Sequence, residues 1–126
     1  MSPTTKQHGI HIKRAYEDPA PSDGVRLLVD RLWPRGLTKE RLKIDDWRKD
    51  LAPSATLRKW FGHDPEKWDE FLLRYRAELH ETGGFEALAD LARRARSERI
   101  TLVYSARDEE RNQAALLARF IAEINA

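Results

Sequence analysis

The chain of 126 residues contains no cysteine. Disulfide bonds, thiolate metal sites and cysteine nucleophiles are therefore excluded. No apolar stretch approaches the roughly 20 residues that a membrane-spanning helix requires, so we expect no membrane association. Residues 1–9 lack the apolar core of a signal peptide, and they predict a flexible N-terminus in a cytoplasmic protein.

Sequence motifs for cofactors and metals are also missing. The chain has no glycine-rich phosphate loop, no dinucleotide-binding fingerprint and no nucleophile elbow. Three of its histidines, His8, His11 and His80, do not have the spacing of metal ligands with one another. We therefore expect neither a cofactor nor a bound metal.

Charged residues are abundant but almost balanced in sign. They make up 35% of the chain, hydrophobic residues make up 40%, and the formal net charge is +2. This mixture is typical of a soluble α/β domain, and the length is sufficient to bury a core. The positive excess is concentrated between residues 26 and 43, where six arginines and lysines accompany two acidic residues. This segment is expected to attract anions.

Three strands are predicted, at residues 10–16, 25–32 and 100–104. The centre of the second is continuously apolar, which is typical of a strand covered on both faces. Several helices separate it from the third strand, so these two strands can run parallel. The short link 17–24, rich in turn-forming residues, favours antiparallel pairing of the first two strands. We predict one α/β domain over 10–126, with a small, mainly parallel sheet of three or more strands flanked by helices.

Capping residues and apolar spacing predict the helices. Thr38 is expected to cap a short helix, and Pro53-Ser54 to start another. Asp64-Pro65 marks the start of a long helix that ends at Gly83-Gly84. A further helix covers about 85–95, and the final helix is expected to follow the last strand almost at once.

The second strand ends in a charged turn that contains Arg31, Trp33 and Arg35. Ligands of open α/β sheets bind beyond the carboxyl ends of strands. Arginine forks match phosphate or carboxylate, and an indole can stack on a ring. The alternative is a surface turn in which Trp33 covers the core, the arginines are solvated and Asp30 pairs with one of them.

The run Ser105-Ala106-Arg107-Asp108 lies between the last strand and the final helix. Free N–H groups at a helix N-terminus attract anions, and Arg107 would add a charge-assisted hydrogen bond. A capping box, in which Ser105 and Asp108 satisfy those N–H groups, is the interpretation that we favour. The two interpretations are compatible.

Two further charged positions lie in loops. His63 stands beside Asp64, and a histidine titrates near neutral pH, so it is a candidate general acid or base. Asp64 is, however, well explained as a helix cap. Lys49, next to Asp50, is more typical of a solvated turn than of a binding site.

Five blocks resemble the signature blocks of the YeaO-like proteins, short members of a bacterial family of unknown function. The blocks are Lys13 to Tyr16, Leu28 to Gly36, Lys49 to Ser54, Leu57 to Pro65 and Tyr104 to Asp108. Together they span the chain in order, from Ile10 to about Ile121. The resemblance implies a small α/β domain without an established activity.

The resemblance also bears on chemistry. Longer relatives in that family carry a stretch containing cysteine and histidine after the last strand, where this chain has Ser105 and then neither residue to its end. Thiol chemistry therefore does not carry over. The resemblance marks mostly polar residues as members of signature blocks: Arg14, Asp30, Arg31, Trp33, Arg35, Lys49, Asp50, His63, Asp64, Ser105, Asp108 and Asn112.

Our leading hypothesis is a cleft, formed where the strand-end turns meet, that binds a small phosphate- or carboxylate-bearing ligand. The candidate ligand-binding residues are Arg14, Arg31, Trp33, Arg35, Lys49, Ser105, Arg107, Asp108 and Asn112. If chemistry occurs there, His63 and Asp30 are the candidate acid and base. Nucleic-acid binding through the basic turn Arg31–Arg35 ranks second, and a non-catalytic protein-interaction module ranks third. The sequence decides neither whether the protein is an enzyme nor its oligomeric state.

Overall fold

A computed structural model describes residues 9–126. The flexible N-terminus predicted over 1–9 lies outside the described residues, except for Gly9, which begins the first strand. The strands are β1 (Gly9–Arg14), β2 (Val25–Leu28), β3 (Asp46–Trp47) and β4 (Arg99–Tyr104). The helices are α1 (Lys39–Leu42), α2 (Ala55–Phe61), α3 (Trp68–Thr82), α4 (Gly84–Arg94) and α5 (Gln113–Ile124).

All four strands are parallel, in the order β1-β4-β2-β3. The prediction of a mainly parallel sheet in one α/β domain is confirmed. Antiparallel pairing of the first two strands is wrong, because β4 lies between them and runs parallel to both. The ten residues between β1 and β2 reach up to about 33 Å when extended. That is enough to return along a six-residue strand about 20 Å long and start a parallel one.

This return link crosses the beginning of β4 at close range. The Thr101 hydroxyl donates to the Asp23 carbonyl at 2.7 Å. The next residue, Gly24, has φ +67°, and a Cβ there would lie 2.3 Å from the Arg99 carbonyl oxygen. Glycine is therefore required both by the left-handed backbone and by the contact with β4.

The sheet has apolar side chains on both faces. Leu27 and Leu102 point to the larger core, which is covered by α2, α3, α4 and α5. Because side chains alternate along a strand, the next residues, Leu28 and Val103, point to the opposite face. There they pack with Leu42 of α1.

A buried ionic cluster secures the return link on this second face. Asp23 accepts from the Lys13 ammonium at 3.1 Å and from the Arg26 guanidinium at 2.7 Å. Arg26 also donates to the Leu42 carbonyl at 2.7 Å. Asp23 and Arg26 are both buried. The cluster therefore joins the link, β2 and α1.

The predicted helix caps Thr38 and Asp64 form, and Ser54, predicted only as part of a helix start, also acts as a cap. The side chains of Thr38, Ser54 and Asp64 accept hydrogen bonds from the backbone N–H groups of Arg41, Leu57 and Glu66. Asp64 caps a 3₁₀ turn, Pro65–Lys67, that leads directly into α3. Within residues 9–126, no helix is long and apolar enough to cross a membrane.

Several predicted boundaries differ from the structure. The first strand ends at Arg14 rather than residue 16. The second strand ends at Leu28 rather than residue 32, although Val29 and Asp30 remain buried. The final helix starts at Gln113 instead of directly after the last strand. Its cap is Asn112, whose side-chain oxygen accepts from the Ala115 N–H at 2.8 Å.

Candidate functional site

The chain leaves the carboxyl ends of β2 and β4 toward opposite faces of the sheet. After β2 it runs to α1 on the second face, and after β4 it runs to α5 on the larger core. These two strands are neighbours. Adjacent parallel strands whose connections diverge in this way leave a crevice between their ends, where α/β proteins bind ligands.

A cleft of about 1040 Å³ lies at this crevice. Its walls come mainly from four segments, namely 14–16 at the end of β1, 30–35 after β2, 58–63 at the end of α2, and 105–113 leading into α5. Pro53 and Phe71 complete the lining. The three strand-end turns therefore meet in space, and α2 supplies the remaining wall. Within the described chain, no group of histidine and acidic residues is placed to hold a metal ion.

Asp30 lies at the floor of the cleft and is 7% exposed. Its carboxylate accepts from the Ser105 N–H at 3.0 Å and from the Ser105 hydroxyl at 2.5 Å. The Gln113 side-chain amide donates to the other carboxylate oxygen. Burial raises the pKa of Asp30, and the hydrogen bonds from Ser105 and Gln113 and the charge of Arg58 only partly oppose that rise.

This arrangement corrects the predicted capping box. The Ser105 N–H and hydroxyl are taken by the carboxylate of the neighbouring strand end, so Ser105 does not cap a helix. The Asp108 side chain instead accepts from the N–H groups of Glu110 and Arg111, both at 3.0 Å. The buried Asp30 carboxylate holds the Ser105 N–H and hydroxyl because, at that depth, it has no water to donate hydrogen bonds in their place.

Cationic side chains dominate the walls of the cleft. They are Arg14, Arg31, Arg35, Arg58, Lys59, Arg107 and Arg111, beside the carboxylates of Asp30 and Asp108. Of these six arginines, Arg111 alone forms an ion pair within residues 9–126, with Asp108. At least seven of the other ten arginines are paired with carboxylates. The cleft therefore concentrates positive charge that its neighbours do not neutralise.

Two of these arginines also brace the cleft walls. Arg14 donates from Nε to the Ala106 carbonyl at 2.9 Å and from Nη2 to the Ser105 carbonyl at 3.1 Å. Arg31 donates from Nε to the Pro53 carbonyl at 3.0 Å. Arg35, Arg58 and Arg107, by contrast, are exposed to solvent.

Trp33 borders the cleft, but packing fixes its indole. The ring N–H donates to the Leu37 carbonyl at 2.6 Å, and the ring meets Trp47 edge-on at 5.4 Å. Lys49 lies outside the cleft, with its ammonium 4.0 Å from the Trp47 ring centroid. Asn112 lines the cleft but is buried as the cap of α5.

His63 lies exposed at the lip of the cleft. Its backbone is left-handed, with φ +57°, and follows Gly62 at φ +55°. The imidazole is 6.2 Å from the Phe61 ring, centroid to centroid. The adjacent Asp64 carboxylate accepts a hydrogen bond from the Glu66 N–H, as predicted for a helix cap.

Several lining residues were missed by sequence reasoning, namely Tyr16, Arg58, Lys59, Arg111 and Gln113. Arg58 and Lys59 fall in a signature block, and α2 exposes both. Their position in that block could have identified them as candidate site residues. Gln113 carried no such signal, because its partner Asp30 lies 83 residues earlier.

Comparisons with known proteins place the chain among uncharacterised bacterial proteins. A family model described as the inactive DUF488-N3 subclade matches residues 9–126. The uncharacterised protein YeaO of Escherichia coli is 42% identical over 117 residues, which cover 91% of this chain and 98% of YeaO. An uncharacterised protein of Mycobacterium tuberculosis is 43% identical over 112 residues, covering 89% of this chain and 92% of that protein. No solved structure matches the chain significantly.

Proposed function

The chain belongs to the family described as the inactive DUF488-N3 subclade, and we propose that its strand-end cleft binds a small ligand bearing a phosphate or carboxylate group. The binding takes place in the cytoplasm. The word "inactive" in the family description favours binding without turnover.

The observation that carries this proposal is the set of cleft arginines without carboxylate partners. Five of the six form no ion pair with a described acidic residue, whereas most other arginines of the chain do. An anion in the cleft would supply the missing partner through charge-assisted hydrogen bonds. A concave surface whose charges are mostly of one sign strengthens such an attraction.

The state of Asp30 supports binding rather than acid–base chemistry. Both of its carboxylate oxygens already accept hydrogen bonds from Ser105 and Gln113. A general base must reach the proton that it removes, and this carboxylate is directed at its own scaffold. Asp30 therefore serves to shape the floor of the cleft.

The nucleic-acid hypothesis is less well supported. It relies on Trp33 as a stacking platform, and that indole is held by Leu37 and Trp47. The positive charge also surrounds a cleft rather than a groove that follows a nucleic-acid backbone. An interaction module would expose one large apolar patch. Of the four large apolar side chains that the described residues expose, Tyr16 and Leu32 line the cleft, and Leu73 and Ile124 do not.

Calorimetric titration of the purified chain tests the proposal. The probes are inorganic phosphate, pyrophosphate and succinate, with short single- and double-stranded oligonucleotides as the competing class. We expect saturable 1:1 binding of phosphate or succinate that weakens as salt is added. Absence of saturable binding by every small anion would overturn the proposal, and binding of oligonucleotides alone would favour the nucleic-acid hypothesis.

A further inference from the structure

We propose that the ligand of this cleft carries an aromatic ring together with its phosphate, as a nucleotide or another ring-bearing phosphate ester does. This inference rests on the proposed function and specifies the chemical class of the ligand. Two features carry it: a row of aromatic rings that ends at the lip of the cleft, and apolar side chains that are left exposed in the cleft.

The row of rings leads from the core to solvent. Tyr75 and Phe71 lie 5.7 Å apart between centroids, Phe71 and Phe61 stack at 4.3 Å, and the His63 imidazole follows at 6.2 Å from Phe61. The first three rings are buried, and His63 is exposed. A ligand ring placed against His63 would extend this row by one member, in the offset or tilted geometry that aromatic pairs prefer.

Two exposed apolar side chains also line the cleft. Residues 9–126 contain four exposed large hydrophobic side chains, and two of them line it. Leu32 is 63% exposed and Tyr16 is 43% exposed. An inorganic anion would leave both in water, whereas a ring-bearing ligand would cover apolar surface. The cleft volume of about 1040 Å³ lies just above the range of about 300–1,000 Å³ that is typical of small-molecule sites.

The backbone conformation of His63 also supports a role of this residue in ligand binding. A residue with a Cβ is disfavoured at φ +57°, whereas glycine adopts that conformation freely. Such strain concentrates at ligand-binding positions. The side chain of His63 thus occupies a position that favours glycine on conformational grounds, and its ring lies where the cleft opens. We infer that this ring contacts the ring of the ligand.

Titration of the full chain with AMP, adenosine and inorganic phosphate tests the inference. We expect AMP to bind at least about fivefold more tightly than phosphate, because stacking of a base on an aromatic side chain contributes that much or more. Adenosine, which lacks the anion, should bind more weakly than AMP. In His63→Gly the affinity for AMP should fall about fivefold or more, while the affinity for phosphate stays the same and the melting temperature does not fall. His63→Phe should restore AMP binding.

The outcomes separate this inference from the proposed function. Equal affinities for AMP and phosphate would overturn the ring-bearing ligand and leave anion binding standing. Failure of both to bind would overturn the proposed function itself. If His63→Gly weakens phosphate and AMP equally, or if His63→Phe does not restore AMP binding, His63 does not contact the ligand ring and the inference is wrong.

Discussion

The Ser105 hydroxyl donates a 2.5 Å hydrogen bond to the carboxylate of Asp30, 75 residues earlier in the chain. The Ser105 N–H reaches the same oxygen at 3.0 Å. These two bonds connect the carboxyl ends of β2 and β4, the neighbouring strands at which the cleft opens. The buried Asp30 carboxylate thus occupies the hydrogen-bond donors of Ser105 at the floor of the cleft. The exposed arginines around it are the groups that we propose to bind an anion.

Asp30→Asn should become progressively more stable than the wild-type protein as the pH rises above about 4. Burial raises the pKa of Asp30 in the folded state, so the Asp30 carboxyl group holds its proton more strongly in the folded state than in the unfolded state. Ionisation of Asp30 therefore lowers the free energy of unfolding as the pH rises from the unfolded-state pKa through the higher folded-state pKa. The neutral amide removes this cost, and the Gln113 amide can rotate to accept from it. Urea unfolding from pH 3.5 to pH 7 measures the difference.

Asp108→Asn is the matched control for this pH dependence. Backbone hydrogen bonds from Arg111 and Glu110 lower the pKa of Asp108, so its contribution is present above the unfolded-state pKa and is lost as the pH falls. The control should become less stable relative to the wild type as the pH rises, opposite to Asp30→Asn. A stability difference for Asp30→Asn that falls with pH would show that the hydrogen bonds outweigh burial.

Gly24→Ala should destabilise the fold by about 3 kcal/mol or more, through backbone strain and a steric clash together. The added Cβ would lie 2.3 Å from the Arg99 carbonyl oxygen, which belongs to the β-sheet backbone. Gly36→Ala has a similar positive φ but no atom within 4 Å of the new Cβ, so strain alone should cost it about 1 kcal/mol. Chemical denaturation of the two variants separates the clash from the strain. Equal losses of unfolding free energy in the two variants would contradict the close approach of the return link to β4.

Asp23→Ala should cost about 3–5 kcal/mol of stability, because it leaves the buried Arg26 guanidinium without its carboxylate. The return link should loosen at the same time, which hydrogen exchange at the Gly24 amide, bonded to the Pro21 carbonyl within the link, would detect. Asp50→Ala removes the more exposed partner of the pair with Arg48 and should cost less than about 1 kcal/mol. Similar losses in the two variants would rule out a structural role for the buried cluster.

Local signals in the sequence predicted most of the secondary structure. The caps Thr38, Ser54 and Asp64 form because each needs only the N–H groups two or three residues ahead. The continuous apolar centre of the second strand correctly indicated a parallel sheet covered on both faces. The charged turn after it does lie at the cleft.

Contacts between segments that are distant in the sequence could not be predicted from such local signals. Ser105 has the local pattern of a helix cap, and only the approach of Asp30 from β2 shows why it does not act as one. The direction of the link between β1 and β2 depends on β4, which comes some 75 residues later and inserts between them. Lys49 shares a signature block with Pro53, which lines the cleft, but its ammonium packs on Trp47 instead.

The central claim is that unpaired arginines of the cleft bind an anion, and Arg58 and Arg107 test it most directly. Both line the cleft, are exposed, and form no ion pair within the described residues. Their replacement by alanine should therefore leave the fold intact. Arg96→Ala, at an exposed position outside the cleft, is the matched control.

Calorimetric titration of these three variants with pyrophosphate is the decisive measurement. Arg58→Ala and Arg107→Ala should each weaken binding about tenfold or more, as expected for the loss of a hydrogen bond to a charged group, while Arg96→Ala binds like the wild-type protein. Affinities in both cleft variants that equal that of Arg96→Ala would contradict the account.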